Sequence, residues 1–262
     1  MNSYILPLFL TLCAGMSTLL GGFVTFFVKR NNLKALSVGL GFSAGVMIYV
    51  SLNELMSEAP EMLGGFYSEI PARALSFAGF FTGIVIAVLI DYFVPDHIES
   101  DFLNTKSKHC RQRHQIRRAG LITALAITLH NFPEGVATFL VSSQDLRLGI
   151  PVAIAIAIHN IPEGIAVALP IFHATGKKRL AIFYSFLSGI SEPVGGLLGV
   201  LLLKTIMPAQ TIGIMTAAVA GIMVYLSFDT LLPLAREYGE NHHVVIGIVS
   251  GMLIMGFGLI FL

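Results

Sequence analysis

Residues 44–59 read AGVMIYVSLNELMSEA, and residues 220–235 read AGIMVYLSFDTLLPLA. Seven of the sixteen positions are identical, and most of the others exchange one apolar side chain for another. Each copy lies in an apolar run of about 20 residues, the length that crosses a hydrocarbon core as a helix. Eight such runs are present, at roughly 4–28, 35–56, 72–94, 119–141, 149–172, 180–203, 211–232 and 244–262. The second and seventh are separated by an odd number of crossings, so the two copies traverse the membrane in opposite directions. Similar sequence in opposite orientation is the mark of an inverted repeat, which many carriers use for alternating access. The expected fold is all-α: a polytopic membrane protein of eight transmembrane helices, with helices 1–3 and 6–8 as inverted repeats around helices 4 and 5.

The composition agrees with a lipid setting. Hydrophobic residues make up 55% of the 262, charged residues 12%, and the mean hydropathy is +0.80; soluble domains carry about 25% charged residues. A net charge of +1 excludes the concentrated basic field that a nucleic-acid surface needs. Cys13 and Cys110 form no CxxC pair, which argues against a disulfide framework or a thiolate metal site. Trp is absent, so Tyr and Phe are left as interfacial anchors. The first run has no basic leader and is too long for a cleaved signal, so it reads as a permanent span. The whole chain, 1–262, reads as one membrane domain, and its longest connection is the polar loop 95–118.

Thirteen of the sixteen Lys and Arg residues fall in the loops after spans 1, 3, 5 and 7. The opposite side holds only Arg73, Arg147 and Lys204. By the positive-inside rule the first group is cytoplasmic, the 95–118 loop included, and both termini face outward.

Inside the runs stand residues that lipid does not favour. The fourth contains LHNFPEG (129–135) and the fifth IHNIPEG (158–164). His130, Glu134, His159, Glu163 and, in span 6, Glu192 all lie near the centre of their runs. An ionisable group there costs at least about 2.5–3.5 kcal/mol on insertion scales and usually marks function. No Lys or Arg lies inside these three runs, so the carboxylates must be protonated or must hold a cation from outside.

Spacing favours a cation. His130 and Glu134 are four apart and share a helix face, as do His159 and Glu163. Asn131 and Asn160 add neutral oxygens on the shoulder of each face. Pro133 and Pro162 deprive the carbonyls of Leu129 and Ile158 of their helical donors, so both helices are expected to kink. Gly135 and Gly164 allow another helix to come close. Imidazole with carboxylate suits zinc first, and also iron, manganese, cobalt and cadmium; calcium and magnesium prefer all-oxygen sites. Shared carboxylates could bridge two adjacent ions. The ordinary alternative is a helix–helix hydrogen bond, but the duplicated H-x-x-x-E and the third helix with Glu192 weigh against it.

These residues carry a resemblance. The doubled HNxPEG, followed by SGISEPVGG at 188–196, resembles the ZIP (ZRT/IRT-like) family of metal transporters, and a bacterial zinc-transporting branch of it in particular. The likeness runs over the whole chain. It implies a 3+2+3 helix arrangement in a bacterial plasma (inner) membrane and metal binding by His130, Asn131, Glu134, His159, Asn160, Glu163 and Glu192. It also implies broad divalent specificity and movement toward the cytoplasm, with no prosthetic group. Many relatives have a His-rich loop after span 3; here that loop holds only His97, His109 and His114.

Asn53 and Glu54, near the outer end of span 2, and Asp229, near the inner end of span 7, are expected as entry and exit ligands. Asp91 is expected beside Asp229. His173, His242 and His243, at helix ends, are expected to be solvated. The Gly-rich strings read as close helix packing, since no GK[ST] follows them. The leading function is a divalent-metal uptake carrier whose partners are the bilayer and the ion, with no nucleic acid; a homodimer is left open. A metal-selective channel would share the site, and an intramembrane zinc enzyme would need the HExxH that this chain lacks.

Overall fold

The computed structural model describes residues 4–93, 108–203 and 210–260. Eight helices in them are long and apolar enough to cross a membrane, and no strand occurs among the described residues. We label them α1 (Ile5–Phe26), α2 (Leu33–Gly64), α3 (Glu69–Phe93), α4 (Lys108–Gln144), α5 (Leu146–Thr175), α6 (Lys178–Leu203), α7 (Gln210–Tyr238) and α8 (Asn241–Leu259). The expected spans are all present, most of them longer than hydropathy indicated. The last part of the 95–118 loop is helical from Lys108, because α4 carries its basic first turns as helix; residues 95–107, with His97, and Lys204 lie outside the described residues.

Local chemistry sets several ends. Asn32 accepts from the Ala35 amide and starts α2, and Asp145 accepts from the Arg147 amide and starts α5. Gly176 ends α5 in the left-handed region, φ 73°, which glycine adopts without a Cβ penalty. Helix runs unbroken through Pro133 and Pro162.

Packing repeats the internal symmetry of the chain. α1 lies along α5 and α4 along α6; α2 lies along α8 and α3 along α7; the pairs α1/α6, α4/α5 and α2/α7 meet across the middle. A methyl group at Gly45 would strike the Ile248 carbonyl, and one at Gly221 the Phe80 carbonyl. These two glycines are the second letters of the two aligned 16-residue copies. The symmetry extends to a rare feature: α2 widens to a π-helical segment at Val50–Leu55, and α7 does so at Leu226–Leu231. Both segments fall at the same letters of the repeat. π-turns are uncommon and gather at functional sites; the α2 segment carries Glu54, which lines a cavity with Glu134 and His159.

α3 and α8 are the least buried helices and present large apolar side chains such as Phe77, Phe81, Leu253 and Phe257 outward. α5 is the most buried, which places IHNIPEG in the middle of the molecule.

Candidate metal centre

Two close approaches hold the centre together. A methyl on Gly135 would run into the carbonyl oxygen of Glu192 in α6, and one on Gly164 into that of Thr18 in α1. The glycine of each HNxPEG motif thus lets one repeat helix dock against α4 or α5. The asparagines complete the docking: Asn131 Nδ2 donates to the Ser188 carbonyl at 3.1 Å, and Asn160 Nδ2 to the Ala14 carbonyl at 3.0 Å. Because a carbonyl accepts only from the amide nitrogen, each Oδ1 is left free, buried and without a partner.

Between these anchors the charged side chains cross over. His130 Nε2 donates to Glu163 Oε1 of the other helix at 2.9 Å, and its own i+4 neighbour, Glu134 Oε2, lies 3.4 Å away. His159 Nε2 lies 3.3 Å from Glu134 Oε1 without the alignment of a hydrogen bond. Glu134 therefore offers one oxygen to each imidazole. Glu192 Oε2 accepts from Asn160 Nδ2 at 2.7 Å, closing the side toward α6. His130, His159, Glu163 and Glu192 are all at most 1% exposed.

This arrangement is rich in unused polar atoms. His130 Nδ1, Glu134 Oε2, both nitrogens of His159, Glu163 Oε2, Glu192 Oε1 and the two asparagine Oδ1 atoms have no hydrogen-bond partner. Buried polar atoms are ordinarily paired, and such a concentration calls for an explanation, among them an ion. Among the described residues no three His, Cys, Asp or Glu side chains stand around a common point as a preset metal site; imidazoles and carboxylates are turned on one another instead. The donor set, nitrogen with carboxylate oxygen and no thiolate, suits first-row divalent ions.

A cavity of about 380 Å³ reaches Glu134 and His159. It is lined by Glu54 and Glu58 on α2, Val141 on α4, Ala155 on α5 and Ile212 and Thr216 on α7. All these lie on the half of the bundle where α1 begins and α8 ends. On the other half Leu36, Leu40, Ile127, Leu169, Met223 and Leu226 are almost fully buried in one apolar core.

The seven residues expected at the centre come together there. Of the outer set, Glu54 lines the cavity with its Oε2 buried and unpaired, whereas Asn53 is exposed and does not line it. Asp91 pairs with Arg118 at 3.3 Å, and Asp229 is exposed beside Tyr225, near that pair. Glu58 was not singled out from sequence; its i+4 relation to Glu54 is the signal that would have found it. His173 differs from expectation. It is buried, with Nδ1 2.9 Å from the Leu169 carbonyl and Nε2 3.2 Å from that of Asn32, because the α1–α2 turn folds over the end of α5. Arg30 in that turn donates to the His173 and Ala174 carbonyls.

Residues 96–261 match the model of a protein family described as ZIP Zinc transporter. The chain is 46% identical to the zinc transporter ZupT of Clostridium perfringens, over 99% of this chain and 97% of the relative. It is 46% identical to the zinc transporter ZupT of Akkermansia muciniphila over 98% of each. It is 48% identical to that of Lysinibacillus sphaericus over 97% and 96%.

Proposed function

Since the chain belongs to the ZIP family, and is a multi-pass membrane transporter and not an enzyme, we propose that it takes up zinc through a central site built from the two HNxPEG motifs. The ligands are His130, Glu134, His159, Glu163 and Glu192, with the Oδ1 atoms of Asn131 and Asn160. The observation that carries this reading is the crossing of the two motifs. Two imidazoles and two carboxylates from antiparallel helices meet within 2.9–3.4 Å, and two of them, Glu134 and His159, line a cavity. Iron, manganese, cobalt and cadmium fit the same donors. Glu134, with one oxygen toward each histidine, suits a carboxylate shared by two ions.

The ion enters from the side of the termini, which the distribution of basic residues places outside the cell. Glu54 and Glu58 draw it into the cavity, and Asp229 with Asp91 serves the exit. Alternating access is supported by the repeat. Glu54, Glu58 and Met62 line the cavity on α2, while their repeat equivalents on α7, Thr230, Leu234 and Tyr238, are buried. Exchanging these two environments would close one mouth and open the other.

Uptake of zinc-65 into vesicles tests the site. His130→Ala and Glu163→Ala should each lose most of the uptake, and undiminished uptake in both would sink it. Saturation with counterflow is expected of a carrier; its absence would point to a channel.

A further inference from the structure

The two-fold relation between α1 and α6 is close enough to compare atom with atom. Ala14 and Ser188 receive the two asparagine amides; Gly15 and Gly189 pack against each other's carbonyls; Thr18 and Glu192 present their carbonyls to Gly164 and Gly135. Even the side-chain roots correspond. A methyl on Gly15 would come within 3.0 Å of Glu192 Cβ, and one on Gly189 within 3.1 Å of Thr18 Cβ. Thr18 thus stands at the position of Glu192 in the opposite half. Glu192 reaches Asn160, and in the other half Asn131, the counterpart of Asn160, keeps a buried Oδ1 without a partner.

The hydroxyl of Thr18 behaves unlike its neighbours. Thr11, Ser17 and Thr25 on α1 each donate to the carbonyl three residues back, at 2.6–3.0 Å. Thr18 is fully buried, and its Oγ1 has no partner. The carbonyl one turn back, Ala14, accepts instead from Asn160. A buried hydroxyl left without a partner costs stability and is suited to an ion.

We infer that Thr18 Oγ1 is a further oxygen ligand of the central site, the neutral counterpart of Glu192. The inference rests on the central-site reading above. It gives the site unequal lobes, one anionic at Glu192 and one neutral at Thr18 and Asn131. Zinc is satisfied by four donors drawn from imidazole and carboxylate. Manganese favours six oxygen-rich donors, and it is the ion that gains from an added neutral oxygen. Thr18 therefore widens the range of metals admitted.

The test is zinc-65 uptake into proteoliposomes with increasing manganese as competitor. Thr18→Val should melt no lower than the wild-type protein, and manganese inhibition is read relative to each variant's own uptake without competitor. The variant should need about five-fold more manganese for half-inhibition, the size of one lost neutral contact. Thr18→Ala should give the same shift, and Thr18→Ser should keep the wild-type value. The inference is overturned by wild-type competition in folded Thr18→Val and Thr18→Ala, by an equal shift in Thr18→Ser, or by a wild type that manganese does not inhibit. His130→Ala is run alongside: undiminished uptake there overturns the central-site reading itself. Loss of uptake there, with manganese competition unchanged in the Thr18 variants, overturns only the role of Thr18.

Discussion

His130 donates its Nε2 proton to Glu163, a residue of the neighbouring helix, 0.5 Å closer than its own i+4 partner Glu134. Neither side chain is more than 1% exposed, so removing His130 leaves Glu163 buried without its hydrogen-bond partner, and removing Glu163 leaves His130 only the longer approach to Glu134. The expected loss in stability is about 3–5 kcal/mol for His130→Ala or Glu163→Gln singly. The double variant should lose no more than either alone. Denaturation of the purified protein in detergent measures this, and strictly additive losses would show that the pair is not coupled.

The two asparagines have different surroundings, and aspartate should distinguish them. Asn131→Asp removes a donor from the Ser188 carbonyl; Asn160→Asp does the same to Ala14 and also sets a second carboxylate against Glu192. Like charges in a buried site are costly. Asn160→Asp should therefore lose more folded protein and more zinc uptake than Asn131→Asp, read by size-exclusion yield and isotope uptake. The reverse order would contradict the assigned amide orientations.

Gly135→Ala and Gly164→Ala should each lower uptake by more than about tenfold, because overpacking of a close helix contact typically costs 1–3 kcal/mol. Gly64→Ala, with nothing within 4 Å of an added methyl, is the control and should be silent. Equal activity in all three variants would mean that α1 and α6 can move apart at the centre without consequence.

Accessibility should follow the cavity. With Cys13 and Cys110 replaced by serine, Met62→Cys and Val141→Cys line the cavity and should react with a membrane-impermeant maleimide from outside. Leu234→Cys, at the repeat position of Glu58, is buried and should stay unreactive to the same reagent. Reaction of Leu234→Cys at the rate of Met62→Cys would refute the asymmetry between the two halves.

Much of this was legible from local patterns. Apolar runs of span length located all eight helices, since insertion depends on length and hydropathy alone. The i+4 spacing of His130 with Glu134, and of His159 with Glu163, placed each pair on one face because helix geometry permits nothing else. What escaped was set by contact between distant segments. His173 looks like a solvated end residue until the turn at Arg30 and Asn32 covers it. Glu58 looks interfacial until α4, α5 and α7 wall a cavity around it. Asn53, one residue from Glu54, is exposed and does not line the cavity.

By itself, then, the sequence determined the number of crossings, the inverted relation of the two 16-residue copies and the set of polar groups placed at mid-bundle, all properties of single segments. Only the tertiary structure decided that His130 pairs with Glu163 across the α4–α5 contact, that Thr18 takes in one half the place that Glu192 takes in the other, and that the α2 copy lines a cavity while the α7 copy is packed. The reason is physical. The two copies share seven of sixteen letters and the same apolar pattern, so which is open depends on how the helices are packed together and not on either segment alone.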